Sequence, residues 1–221
     1  YVTLTSRGAI GVAADSGKLL WIYHRVANGT ANLPTPVVQG HSVFVSTAYG
    51  TGAALLKLVS TQQVVTAREV YWLDAGKFQC HHGGFLLSGG YIYGADGHNM
   101  GNPICIEMAT GNVAWREKQV GKGSGSLVYA DGNLYYRYED DTVALIEANP
   151  KQYTLKGQFK LPSRPGADGP GWAHPVILGP EALPDVEGPG QVGRPLPHLH
   201  QLPDRGIPAG DGLDQGVYLL K

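Results

Sequence analysis

EMATGNVAW, residues 107–115, repeats the pattern of AADSGKLLW, residues 13–21. In each, a small hydroxyl residue precedes a glycine, Gly17 or Gly111, and a tryptophan, Trp21 or Trp115, follows four residues later. The copies lie 94 residues apart, two lengths of 47. That shorter period marks other stretches. Apolar hairpins turn at Gly40 in PVVQGHSVFVS, at Gly89–Gly90 in FLLSGGYIYGA and at Gly132 in SLVYADGNLYYRY, with a fourth candidate at Gly179 in HPVILG. Each unit has room for four short strands with turn residues between them.

A period in the forties built from four-stranded units predicts a β-propeller blade. No long 3.6-residue periodicity survives the glycines, which argues against helices. The third unit is read as strand A at 82–88, B at 91–95, C at 103–108 and D at 112–118. The second unit replaces the Thr-Gly turn with a longer polar stretch in LVSTQQVVTAREVYW (58–72), read as a hairpin with an extended loop. The fourth places Asn149-Pro150 at that turn. The recurring glycine allows a tight C–D turn with positive φ. The tryptophan can lay its ring over the neighbouring blade, a large apolar area with one N–H to satisfy. The expected fold is therefore all-β: a partial propeller of about four four-stranded antiparallel blades over residues 1–178.

Residues 179–221 break the pattern. Seven prolines and eight glycines fall there with a single aromatic, Tyr218. This composition predicts an irregular tail and not a native blade, as a lost reading frame near Gly179 would produce. The HLH at 198–200 in that tail is read as a chance histidine pair.

Composition limits the partners. The chain has 221 residues, 43% hydrophobic and 16% charged, with a formal net charge of −1 and no basic run. Nucleic-acid binding needs clustered Lys and Arg, so it is not expected. No apolar run approaches the roughly 20 residues of a membrane helix. The sequence begins at Tyr1 inside a strand pattern without a signal peptide, and reads as a fragment. Cys80 and Cys105 fit neither a disulfide-dense scaffold nor a C-x-x-C motif, and read as buried thiols.

The chain resembles the propellers of pyrroloquinoline-quinone (PQQ) repeat type through DSGKLLW and MATGNVAW. It is closest to exported PQQ-like repeat proteins of planctomycete-type bacteria, often labelled polyvinyl-alcohol-dehydrogenase-like. Those carry runs similar to ANGTANLPTPV, HHGG, YIYGADGHNMGNPICIE, YADGNLYYRY and ALIEA. The resemblance covers about residues 1–178 and implies an exported or periplasmic setting. It implies a quinoprotein alcohol dehydrogenase, with PQQ and Ca²⁺, as one activity of the wider group. Such an enzyme sandwiches its quinone between a Trp floor and vicinal cysteines, and uses an Asp as base. This chain has no vicinal cysteine pair. Trp172 as floor, Asp96 as base and Glu139-Asp140-Asp141 as calcium ligands also read as a core aromatic, a turn former and a solvated loop. Such enzymes usually close eight blades; a partial ring leaves open edges for further blades or another copy to cover.

In such a blade the D–A and B–C connections share one face. His82 lies seven residues before Gly89 and His98 eight after Gly90, so both strand ends reach similar heights. His81, His82, His98 and Asn99 should thus meet on one rim. Asn32 with Tyr49, Glu139 with Asp140, and Trp172 with His174 are the equivalents in other blades. Rigidly held rim loops are where ligand sites form. Three readings compete. One is a metal site using His81, His82 or His98 with Asp96. Adjacent strand residues point to opposite faces, which counts against one ion shared by His81 and His82, and no metal site is assigned. The second is a small polar ligand; the third is that the side chains tie down rim loops. The expected function is a ligand-binding or protein-interaction scaffold with its rim at His81, His82, His98, Asn99, Trp172 and His174. No cofactor is assigned from the residues.

Overall fold

The computed structural model describes residues 1–61, 64–162 and 170–177. All its strands lie in one compact unit, Tyr1–His174. The proposed tail from 179 onwards, with HLH and the hairpin at Gly179, lies outside the described residues.

Fifteen strands form four antiparallel sheets, and no helix occurs among the described residues. The first sheet has three strands, β1 (Val2–Thr5), β2 (Gly8–Val12) and β3 (Leu19–Tyr23). The second has four: β4 (Val37–Gln39), β5 (Ser42–Thr47), β6 (Gly52–Ser60) and β7 (Val65–Asp74). The third comprises β8 (Cys80–Ser88), β9 (Tyr91–Asp96), β10 (Asn102–Glu107) and β11 (Val113–Arg116). The fourth comprises β12 (Gly125–Ala130), β13 (Asn133–Tyr138), β14 (Thr142–Glu147) and β15 (Leu155–Lys160). Strands pair in sequence order within each sheet, the up-and-down meander of a propeller blade.

Burial follows from stacking sheet on sheet. The middle strands have both faces covered: β5, β9 and β13 are buried at nearly every position. The outer strands β7 and β15 are largely exposed. Two-sided burial explains why SVFVST and NLYYRY read as near-continuous apolar runs. The glycines marking the A–B hairpins have positive φ, 56° at Gly40 and 72° at Gly132, as those tight turns require.

A second regularity is built into the last two strands of each sheet. In all four sheets the register shifts once between them, leaving Leu20, Val70, Ala114 and Lys156 as the extra residues. The residue after each bulge is Trp21, Tyr71, Trp115 or Gly157. Trp115 packs into the seam with the fourth sheet beside Leu134, Tyr136 and Ile146, and its Nε1–H donates to the Asn149 carbonyl at 2.8 Å. Tyr71 crosses the preceding seam in the same way, its hydroxyl donating to the Met108 carbonyl at 2.7 Å. Trp21 packs among Val43, Val45, Ala54 and Leu56 of the second sheet. Gly111 has φ 76°, and a Cβ there would lie 2.9 Å from Tyr71 Cε2. It serves both its own turn and the ring arriving from the neighbouring sheet.

The second unit differs from expectation. Its outer hairpin is not a longer loop but longer strands, β6 of nine residues and β7 of ten, paired from Gly52–Asp74 out to Ser60–Val65.

Candidate functional site at the propeller rim

The B–C turns share an unusual backbone feature. Tyr49, Asn99 and Asp141 occupy them with φ of 59°, 58° and 61°, a left-handed conformation uncommon for residues other than glycine. These turns hold side chains level with the starts of the inner strands.

The strand carrying His81 and His82 is irregular there. Cys80 pairs with Asp96 and Phe85 with Gly94, so the four residues 81–84 of β8 oppose Ala95 alone. Gly83 lies so close to the fourth sheet that a Cβ would fall 1.5 Å from the Gly125 carbonyl oxygen, and Gly84 has φ 73°. This wide bulge abolishes the alternation on which the opposite-face expectation rested. The His81 and His82 rings lie 4.7 Å apart, and the His98 ring lies 4.6 Å from His81. The expected convergence of three imidazoles is observed.

Their partners come from the second and fourth sheets. Tyr49 Oη lies 3.0 Å from His81 Nε2, and its ring lies 4.4 Å from that of His98. His81 Nδ1 lies 2.8 Å from Ser124 Oγ. His82 Nε2 lies 3.1 Å from Glu139 Oε1, the same oxygen that accepts the Ser124 backbone N–H at 3.0 Å. Ser124 is only 3% exposed, so one buried residue fixes both His81 and Glu139. Ser124 was not legible as a site residue; its glycine-rich neighbourhood, GKGSGS, carried no signal beyond leading into β12.

Electrostatics set the ionisation states. Burial, then the neighbouring His82 and His98, lower the pKa of His81, with Glu139 opposing. Burial raises the Glu139 carboxyl, but hydrogen bonds from Ser124 and His82 outweigh it and hold the pKa below the usual value. His81 is therefore neutral and Glu139 ionised at neutral pH. His98 Nδ1 is buried and has no hydrogen-bond partner among the described residues.

The remaining rim residues take varied places. Asn99 is exposed on the same turn as His98. The Trp172 ring, 60% exposed, lies 5.6 Å from that of His82. His174 sits beside Gly84, its Cε1 3.5 Å from where a Cβ would stand. The 171–174 segment is held by Gly171 N–H donating to the Glu139 carbonyl and by buried Arg137 donating to the Ala173 carbonyl. Asn32 is drawn away into a reciprocal pair with Asn28, whose amide also caps the loop at Ala31 and Ala48. A cleft of about 170 Å³ opens beside the cluster, lined in part by Leu33, Thr35, His82, Gly84, Leu127 and His174.

Several readings need correction. Asp96 does not join the histidines: it accepts the Gln79 N–H at 3.0 Å and pairs with Arg116 Nε at 3.1 Å. The acidic run is not a solvated loop. Glu139 meets His82, Asp140 accepts the Thr142 N–H, and Asp141 pairs with Arg137 at 2.7 Å. Trp172 is not a core aromatic. The described residues also do not fit a PQQ–calcium centre. Cys80 and Cys105 are buried free thiols on different strands, and Asp96 is committed to Arg116.

Among the described residues no helix is long and apolar enough to cross a membrane. No curated protein matches the sequence. Among the 31 solved chains that match is the crystal structure of BamB from Moraxella catarrhalis. It is 12% identical with a TM-score of 0.36, over 72% of this chain and 60% of that one. The chain thus spans less than two thirds of that relative's length. The PQQ_2 family model, described as outer membrane protein assembly factor BamB, matches residues 1–117, more than half of the 221. With four meandering sheets each bulged at the same place, the chain belongs to the PQQ-repeat β-propeller family.

Proposed function

We propose that this chain is a binding scaffold whose rim, around His82, His98, Asn99 and His174, takes a protein partner or a small polar ligand. The observation that carries this reading is the clustering of three imidazoles beside exposed Trp172 and Tyr49, with His82 of that cluster also lining a cleft. Aromatic rings with polar tips on rigid turns are the side chains on which recognition usually rests. At about 170 Å³ the cleft falls below the roughly 300–1,000 Å³ usual for ligands of cofactor size. It suits one protruding side chain or a small polar molecule better than a quinone. The family resemblance supports work outside the cytoplasm, and further blades or a second copy would cover the sheet edges.

The test is capture from the cell envelope by the natural full-length protein, followed by affinity measurement with the purified partner or ligand. His82→Ala/His98→Ala is expected to weaken binding at least about tenfold, the loss of a buried contact worth some 1.4 kcal/mol. Undiminished affinity in that variant would overturn the reading.

A further inference from the structure

We propose that His81, His82 and Glu139 form a binding site for a divalent first-row transition ion, zinc foremost, at the propeller mouth. One donor atom from each lies within 4.8 Å of the other two. Metal–nitrogen bonds of about 2.0–2.1 Å set neighbouring tetrahedral donors about 3.4 Å apart, so the wider-spaced donors close by an ångström or so while His82 and Glu139, 3.1 Å apart, already stand near that spacing. The bulge at 81–84 makes this possible, because it puts two consecutive imidazoles side by side where a regular strand would separate them.

The supporting contacts are those of a ligand set. Ser124 Oγ beside His81 Nδ1 leaves Nε2 to ligate, an ion taking the place of its 3.0 Å contact with the Tyr49 hydroxyl. Ser124 N–H also fixes the Glu139 carboxylate. Outer partners orient metal ligands by hydrogen-bonding the other ring nitrogen of a ligating histidine and the oxygens of a ligating carboxylate. The His82–Glu139 contact places imidazole nitrogen and carboxylate oxygen 3.1 Å apart, where an ion replaces the shared proton. Two imidazoles and one carboxylate favour zinc, nickel or copper over calcium, which takes six to eight oxygens. Three protein donors leave a fourth position open. The site stands independently of partner capture at the rim, since metal uptake needs no partner.

The experiment is equilibrium dialysis of the untagged full chain against Zn²⁺ and Co²⁺, in a His198→Ala/His200→Ala background that removes the tail pair. One ion per chain is expected, with a four-coordinate Co²⁺ visible spectrum and no displacement by excess Ca²⁺. Glu139→Gln and His82→Ala should each weaken uptake by about 100-fold or more. Ser124→Ala should weaken it about 10–100-fold, as loss of an outer partner does. Thermal unfolding without metal identifies any variant that fails to fold, and Glu139→Gln, which keeps the side-chain shape, then decides. No uptake, uptake unchanged in Glu139→Gln, or uptake seen only when His198 and His200 are present would overturn the proposal.

Discussion

The indole N–H of Trp115 donates to the Asn149 carbonyl at 2.8 Å, joining the outer strand of the third sheet to the turn of the fourth. Tyr71 makes the matching bond to Met108 one seam earlier. Trp115→Phe should therefore cost about 1 kcal/mol, the net worth of one hydrogen bond. Trp115→Ala should cost about 3–5 kcal/mol by opening a cavity in the seam. Urea unfolding measures both, and equal losses would show that the bond contributes nothing.

Gly83 and Gly84 are neighbours with different constraints. Gly83→Ala drives a methyl into the Gly125 backbone and should destabilise by more than about 3 kcal/mol. Gly84→Ala has room beside His174 and incurs only the left-handed backbone penalty, about 1–2 kcal/mol. Thermal unfolding of the two variants should rank them in that order. A milder Gly83 variant would mean that the third and fourth sheets can part at low cost.

Asp96 gives a pH signature. Burial raises its pKa, with the Gln79 N–H and Arg116 opposing only in part. A carboxyl raised on folding holds its proton more tightly in the native state. Its contribution is complete below the unfolded value of about 3.9 and fades as pH climbs through the folded value. Asp96→Asn should remove that part of the slope in a plot of unfolding midpoint against pH above about 4. An unchanged slope would place the titration elsewhere.

The two thiols should be silent. Burial pushes both Cys80 and Cys105 up to about 12. Alkylation at pH 8 should then be negligible in the folded protein and rapid in urea, since the thiolate is the nucleophile. Unfolded cysteines ionise from about pH 8.5, so these sites also withdraw stability as pH rises past that value. Fast labelling of the native chain would contradict their burial.

The blade is legible in the sequence because its signals are local. Gly40, Gly89–Gly90 and Gly132 mark turns that need positive φ, and Trp21 and Trp115 recur at one spacing. Tyr71 fills the same station as those tryptophans but was hidden, because no Thr-Gly turn precedes it and only pairing reveals the bulge. The meeting of His81, His82 and His98 followed from counting residues back from a hairpin. That His81 and His82 share a side did not follow, because the cause is Gly83 pressed against Gly125, 42 residues away. Glu139 could be placed on the rim by blade equivalence, yet its grip on His82 depends on a turn whose geometry no local pattern encodes.

Tyr49, Asn99 and Asp141 share one backbone shape while differing in every chemical property. The scaffold thus separates form from content: the crossing point of these three vanes is drawn once, and each tip can be rewritten independently. Swapping those three tips among the vanes would relocate aromatic, amide or acidic character around the ring without redrawing the strands beneath.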